Sequence, residues 1–108
     1  MRVFKFPKAW AFLGVALLAT PFSWGQAPAA RLAVCGACHG AQGIAPMPRT
    51  PHLAGQDQDY LLEQLRHYRS GKRQHEVMSV IAKSLTDSDL ESITYWFSSQ
   101  RIVIEKAP

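Results

Sequence analysis

Residues 35–39 read Cys35-Gly36-Ala37-Cys38-His39, and this C-x-x-C-H stretch holds both cysteines of the 108-residue chain. Two thiols three positions apart are neighbours on one helical turn, so both sulfurs reach the same edge of a bound plate. The next residue sets an imidazole beside them. A porphyrin meets these requirements: each thiol adds across one vinyl group to form a thioether, and the imidazole reaches the iron. The pattern marks Cys35 and Cys38 as covalent attachment points of one haem c and His39 as an axial iron ligand.

Other uses of paired cysteines fit the surroundings less well. A thioredoxin-like redox pair follows a buried strand in a βαβ pattern, whereas Pro28 to Val34 reads as helix. A structural zinc site needs two further paired ligands, and His52, His67 and His75 are scattered. A plain disulfide leaves His39 without a role.

The first 25 residues read as an export signal. Arg2, Lys5 and Lys8 form a basic start, Ala9 to Thr20 is an apolar run of twelve residues, and Ser23-Trp24-Gly25 supplies small residues for cleavage before Gln26. Twelve apolar residues followed by Pro21 fall short of the ~20 that span a bilayer, so no stable membrane insertion is expected after cleavage. Removing the signal leaves nine basic against eight acidic residues. The basic balance of the whole chain is therefore mainly a targeting feature and gives no reason to expect nucleic-acid binding. Residues 26–108 form a single domain with one C-x-x-C-H. A chain of this size builds a marginal core unaided, and a covalently held porphyrin supplies the missing apolar bulk.

The remaining pattern is helical. Ala27 to Cys38 forms a first helix, ended by Gly40 and Gly43. Residues 43–56, with Pro46, Pro48 and Pro51, form an irregular loop. Asp57 caps a second helix running to Ser70, with Tyr60, Leu61, Leu65 and Tyr68 on its apolar face and Gly71 as its stop. Glu76 to Leu85 reads as a short third helix. Thr86 opens the last one with an acid three residues on, and Leu90, Ile93, Thr94 and Phe97 line one face. No segment alternates as a strand does.

The second axial position of the iron decides the chemistry: an open site binds small ligands, a filled one favours electron transfer. A thioether there raises the reduction potential. Met47 and Met78 follow the signal, and eight residues span roughly 26 Å when extended, so reach excludes neither. Met47 lies between two prolines in a loop starting on the histidine side. Met78 lies beyond a whole helix, where the chain has room to cross to the other face. Histidine is the alternative, His75 being nearest to Met78.

In this order and spacing the residues resemble the class I c-type cytochromes, in the bacterial branch of the two-haem "c-four" type and its single-haem relatives. The matching text is Cys35 to Gly40 with Gly43, Pro51-His-Leu-Ala-Gly-Gln56, Tyr60-Leu-Leu, Gln64-Leu65, Gly71-Lys-Arg73, Met78, Leu85-Thr-Asp87 with Asp89-Leu90, and Trp96-Phe97. The resemblance implies an all-α, small class I cytochrome c fold with three to four helices around one covalently attached haem. It further implies His39 as proximal and Met78 as distal ligand, the carbonyl of Pro51 on the proximal imidazole, and Arg73 near a haem propionate. Trp96 and Phe97 match an aromatic pair that packs the last helix near the haem. The tandem second haem unit has no match in this sequence, and neither does the tail Ile102 to Pro108.

The expected function is that of a periplasmic monohaem one-electron carrier, not an enzyme, serving redox partner proteins such as a periplasmic reductase, oxidase or dehydrogenase. The alternative is a haem-binding electron-transfer subunit of a periplasmic dehydrogenase or oxidase complex. Five-coordinate, small-ligand-binding relatives usually carry the motif near the C-terminus of a four-helix bundle, unlike this chain. Arg66, Arg69, Lys72 and Arg73 form a basic cluster that reads either as a solvated helix end or as a docking patch for an acidic partner.

Overall fold

The computed structural model describes residues 29–106, so the proposed signal segment lies outside the described residues. Four helices and no strand occur among them: α1 (Ala29–His39), α2 (Gln58–Ser70), α3 (Met78–Lys83) and α4 (Asp87–Ser98). Their ends follow from local chemistry. The Asp57 side chain accepts a hydrogen bond from the Tyr60 amide and opens α2, while Gly71 closes it at φ 83°. Thr86 and Asp89 exchange backbone and side-chain bonds in a reciprocal capping box that starts α4.

The third helix is shorter than its pattern predicts. Glu76 and Val77 form a turn, and the helix begins at Met78. The amides of Val77 and Met78, which have no acceptor within the helix, donate to the Nδ1 of His75. At the other end Ser84 and Leu85 tighten into bonds to the carbonyls of Ile81 and Ala82, which frees Thr86 to open the next helix.

Helix α2 packs on both α3 and α4, and α1 packs on α4. The core is Leu61, Leu85, Leu90, Ile93 and Phe97, with Leu32, Cys35, Leu53, Leu62 and Leu65 against it. Leu90, Ile93, Thr94 and Phe97 are all buried, as their spacing implies. Tyr60 departs from the expected apolar face: it is 49% exposed and lines a cavity beside the core. Two of the four basic residues clustered around the end of α2 have partners. Arg69 bonds the Asp87 carboxylate at 2.6 Å and the Leu85 carbonyl, joining α2 to the start of α4. Arg73 bonds Gln64 and lies over the ring of Tyr68.

The loop between α1 and α2 is closed by a pinch at Gly43. Its carbonyl accepts from the amides of Leu53 (2.7 Å) and Ala54 (3.1 Å). With φ at 84°, a side chain here would be strained, and a Cβ would lie 2.5 Å from the Ala54 nitrogen and 2.9 Å from Phe97 Cδ1. Helix α4 holds both sides of the pinch: the Trp96 indole donates to the Ala41 carbonyl at 3.1 Å, and the Gly55 amide donates to the Phe97 carbonyl at 2.9 Å.

Two predictions follow from this scaffold. Gly43→Ala should destabilise the holoprotein by about 3 kcal/mol through strain and overlap. Gly71→Ala has the same positive φ but nothing within 4 Å, and should cost only about 1 kcal/mol; denaturant titration of both variants checks the contrast. The Asp89 carboxyl is held below the usual carboxylate range by the Thr86 amide, then by the Thr86 hydroxyl and Arg31, against the opposing effect of burial. A carboxyl depressed in the folded state stabilises above its unfolded value and loses that contribution as pH falls through the folded one. Stability should therefore fall below about pH 4, and less steeply in Asp89→Asn, as read by thermal melts across pH 2 to 7.

Candidate cofactor site

A cavity of about 460 Å³ opens beside the core. This is within the size range of small-molecule and cofactor sites, roughly 300–1,000 Å³. Its walls are mainly apolar, with Leu53, Leu61, Leu65, Ile81, Ile93 and Phe97 facing it from the loop and three helices. Cys35, Cys38, His39, Pro51, Arg73 and Met78, which motif and resemblance single out, all line this one cavity.

The last turn of α1 delivers the first three. Cys35 and Cys38 are half-buried and not bonded to each other. Burial pushes the Cys35 thiol up from its ordinary value, only partly offset by its backbone hydrogen bond and by Arg31. That is the reverse of what a nucleophilic redox pair requires, since such pairs work through a lowered thiol pKa. His39 is 8% exposed. Its Nδ1 lies 2.9 Å from the Pro51 carbonyl. A carbonyl only accepts, so Nδ1 carries the proton and Nε2 keeps the lone pair that a metal needs. The proline-rich loop brings Pro51 back to α1, and the Gly43 pinch holds it there.

Met78 is half-buried at the first position of α3. Helices α1 and α3 do not pack on each other, yet each sends its residues to the same cavity. Met47 also lines it, from the loop, and is 49% exposed. His52 and His75 line it too, but each Nδ1 accepts backbone amides, from Ala45 for His52 and from Val77 and Met78 for His75. His67 lies elsewhere, beside Glu63. Arg73 stands at the edge of the cavity, held by Gln64 Oε1 at 2.8 Å and by the Tyr68 ring, 4.7 Å from its centroid.

An apolar cavity with two thiols and one imidazole from a single stretch of helix suits a large, flat, iron-bearing ring. The thioether of Met78 is a suitably soft donor for that iron. The donor set and the size of the cavity therefore fit haem c.

Spacing does not reveal two of the contacts that support this site. The Trp96 indole, which braces the loop through Ala41, works across 55 residues. The ring of His75 is tied to the start of α3 by backbone bonds that leave no periodic trace in the sequence.

Comparison with known proteins agrees with this chemistry. No family model matches the chain. It is 42% identical over 95 residues to cytochrome c4 of Pseudomonas aeruginosa, covering 88% of this chain and 47% of that protein. It is 39% identical to a thiosulfate dehydrogenase electron acceptor of Thiomonas intermedia, covering 93% of this chain and 46% of the relative. Against cytochrome c-554(548) of Halomonas halodenitrificans the identity is 36%, over 65% of this chain and 88% of the relative. The crystal structure of reduced recombinant cytochrome c4 from Pseudomonas stutzeri superposes with a TM-score of 0.63 at 42% identity, over 71% of this chain and 46% of that one. The chain thus spans about half the length of the cytochrome c4 relatives it matches. From these likenesses and the site they surround, the chain belongs to the class I c-type cytochromes of the c4 type, an all-α family of electron carriers with covalent haem c rather than enzymes.

Proposed function

We propose that residues 26–108 form a periplasmic, monohaem, one-electron carrier whose haem is held by thioethers from Cys35 and Cys38, with His39 and Met78 as axial ligands. The observation that carries this reading is the buried His39 imidazole, tied through Nδ1 to the Pro51 carbonyl in the cavity that both thiols and Met78 line. A haem held here would supply a reversible ferric–ferrous couple. The chain's own residues tune that couple and keep its geometry fixed. The Pro51 carbonyl orients the imidazole and raises its basicity. Met78 favours the ferrous state through its soft sulfur. The apolar walls exclude water from the ring. Arg73, already fixed by Gln64 and Tyr68, offers a guanidinium to a carboxylate at the cavity edge. Held by His39 and Met78 in both oxidation states, the iron would exchange electrons with little reorganisation.

The placement of Met78 on a helix that does not touch α1 supports it over Met47, whose loop is the one that returns Pro51 to His39. The single C-x-x-C-H in this sequence supports one haem. The apolar run at residues 9–20 behind three basic residues supports export, and no helix among the described residues is long and apolar enough to cross a membrane. Periplasmic reductases, oxidases or dehydrogenases are the partners such a carrier serves. A second reading, an electron-transfer subunit of a dehydrogenase complex, is favoured by the likeness to a thiosulfate dehydrogenase electron acceptor. Co-purification with a large catalytic subunit would select it over a free carrier.

Intact-mass measurement of protein matured in a bacterium competent for haem attachment should show the polypeptide plus one haem. Unmodified thiols on Cys35 and Cys38 would overturn the attachment. The ferric holoprotein should show a weak far-red Met–iron charge-transfer band that Met78→Ala abolishes and Met47→Ala retains; the reverse pattern would move the ligand to the loop.

A further inference from the structure

The segment between α2 and α3 has to hold Met78 against the cavity without a long helix behind it. Helix α3 is six residues long, and Val77, at its cap position, has no side-chain acceptor to offer. His75 takes over that task. Its Nδ1 accepts the amides of Val77 at 3.2 Å and Met78 at 3.3 Å. The bonding is reciprocal, since the His75 amide donates to Ser79 Oγ at 3.0 Å and the His75 carbonyl accepts from the Ser79 amide at 3.0 Å. Because two N–H groups converge on Nδ1, that nitrogen is unprotonated and the ring proton sits on Nε2.

The imidazole is itself anchored to α2. It meets the Tyr68 ring edge-on, with centroids 6.4 Å apart and planes at 75°. The guanidinium of Arg73 lies over that same tyrosine. The Arg73 amide bonds the His67 carbonyl at 3.0 Å, and its side chain bonds Gln64. Residues 71–78 are thus fastened to α2 at Arg73 and again, through Tyr68, at His75. The last link in this series is the backbone of Met78.

We propose that His75 is a positioning residue for Met78: its Nδ1 fixes the backbone from which the thioether is presented to the haem iron. The inference rests on the reading of Met78 as distal ligand. Without the imidazole, the amides of Val77 and Met78 turn to solvent, and the first turn of α3 loses the bonds that hold it beside the cavity. The methionine then yields more readily to an external ligand.

The test is an imidazole titration of the ferric holoprotein, followed by loss of the far-red band. His75→Ala should retain the band at zero imidazole yet bind imidazole about fivefold more tightly, the factor that loss of one cap produces. His75→Asn, whose side-chain oxygen accepts amides two and three residues on, should return to within about twofold of the parent protein. Thr86→Ala, which loosens a cap on another helix, should stay within the same range. The role of His75 falls if His75→Ala binds imidazole like the parent, if His75→Asn behaves like His75→Ala, or if Thr86→Ala matches them. A band that survives Met78→Ala removes the ligand reading, and this inference with it. A band lost in Met78→Ala beside unchanged imidazole binding in His75→Ala removes the role of His75 alone.

Discussion

The hydrogen bond between His39 and the Pro51 carbonyl is the constraint around which the described structure is arranged. It determines which ring nitrogen carries the proton, and so which one is left to bind a metal. One bond of this kind contributes about 1 kcal/mol, too little to hold the whole loop between α1 and α2, residues 40–57, alone. The loop is shaped by other means: a carbonyl at Gly43 that two amides share, an indole that reaches Ala41, and a Gly55 amide that caps the end of α4. The chemistry of one imidazole thus depends on the packing of a helix far along the chain.

The same economy governs the other side of the cavity. Helix α3 is too short to be stable alone and is kept in place by α2, by its bonds to His75, and by the Ser84–Leu85 turn before the capping box. The residues that line the cavity from α3 are therefore only as fixed as the segment that precedes them. The basic cluster divides along these lines. Arg69 and Arg73 are tied into the scaffold by Asp87 and Gln64, so that half of the cluster serves the fold itself.

What could be read from the sequence follows the range of the forces involved. The turn of helix bearing Cys35, Cys38 and His39, the Asp57 cap, the Gly71 stop and the Thr86–Asp89 box are local, and each leaves a mark within a few residues. The buried face of α4 shows in its spacing. The cavity does not. Tyr60 has the right interval for the core face of α2 yet faces the cavity, because periodicity cannot distinguish a core from a space awaiting a cofactor. The third helix starts two residues later than its pattern implies, and the His75 ring takes the amides of Val77 and Met78 in bonds that periodicity does not encode. The part played by Pro51 came from likeness to a family, since a carbonyl bond across twelve positions has no signature in composition.

Order along the polypeptide gives the Trp96 brace a further meaning. Its two ends, Ala41 and Trp96, are separated by most of the described chain, and Phe97 closes on Gly43 over a similar span. A polypeptide emerging amino end first exposes its thiols long before the residues that clasp the loop arrive. Until the final helix docks, the loop after the Cys35–His39 turn lacks this brace, and a chain cut short before Trp96 lacks it for good.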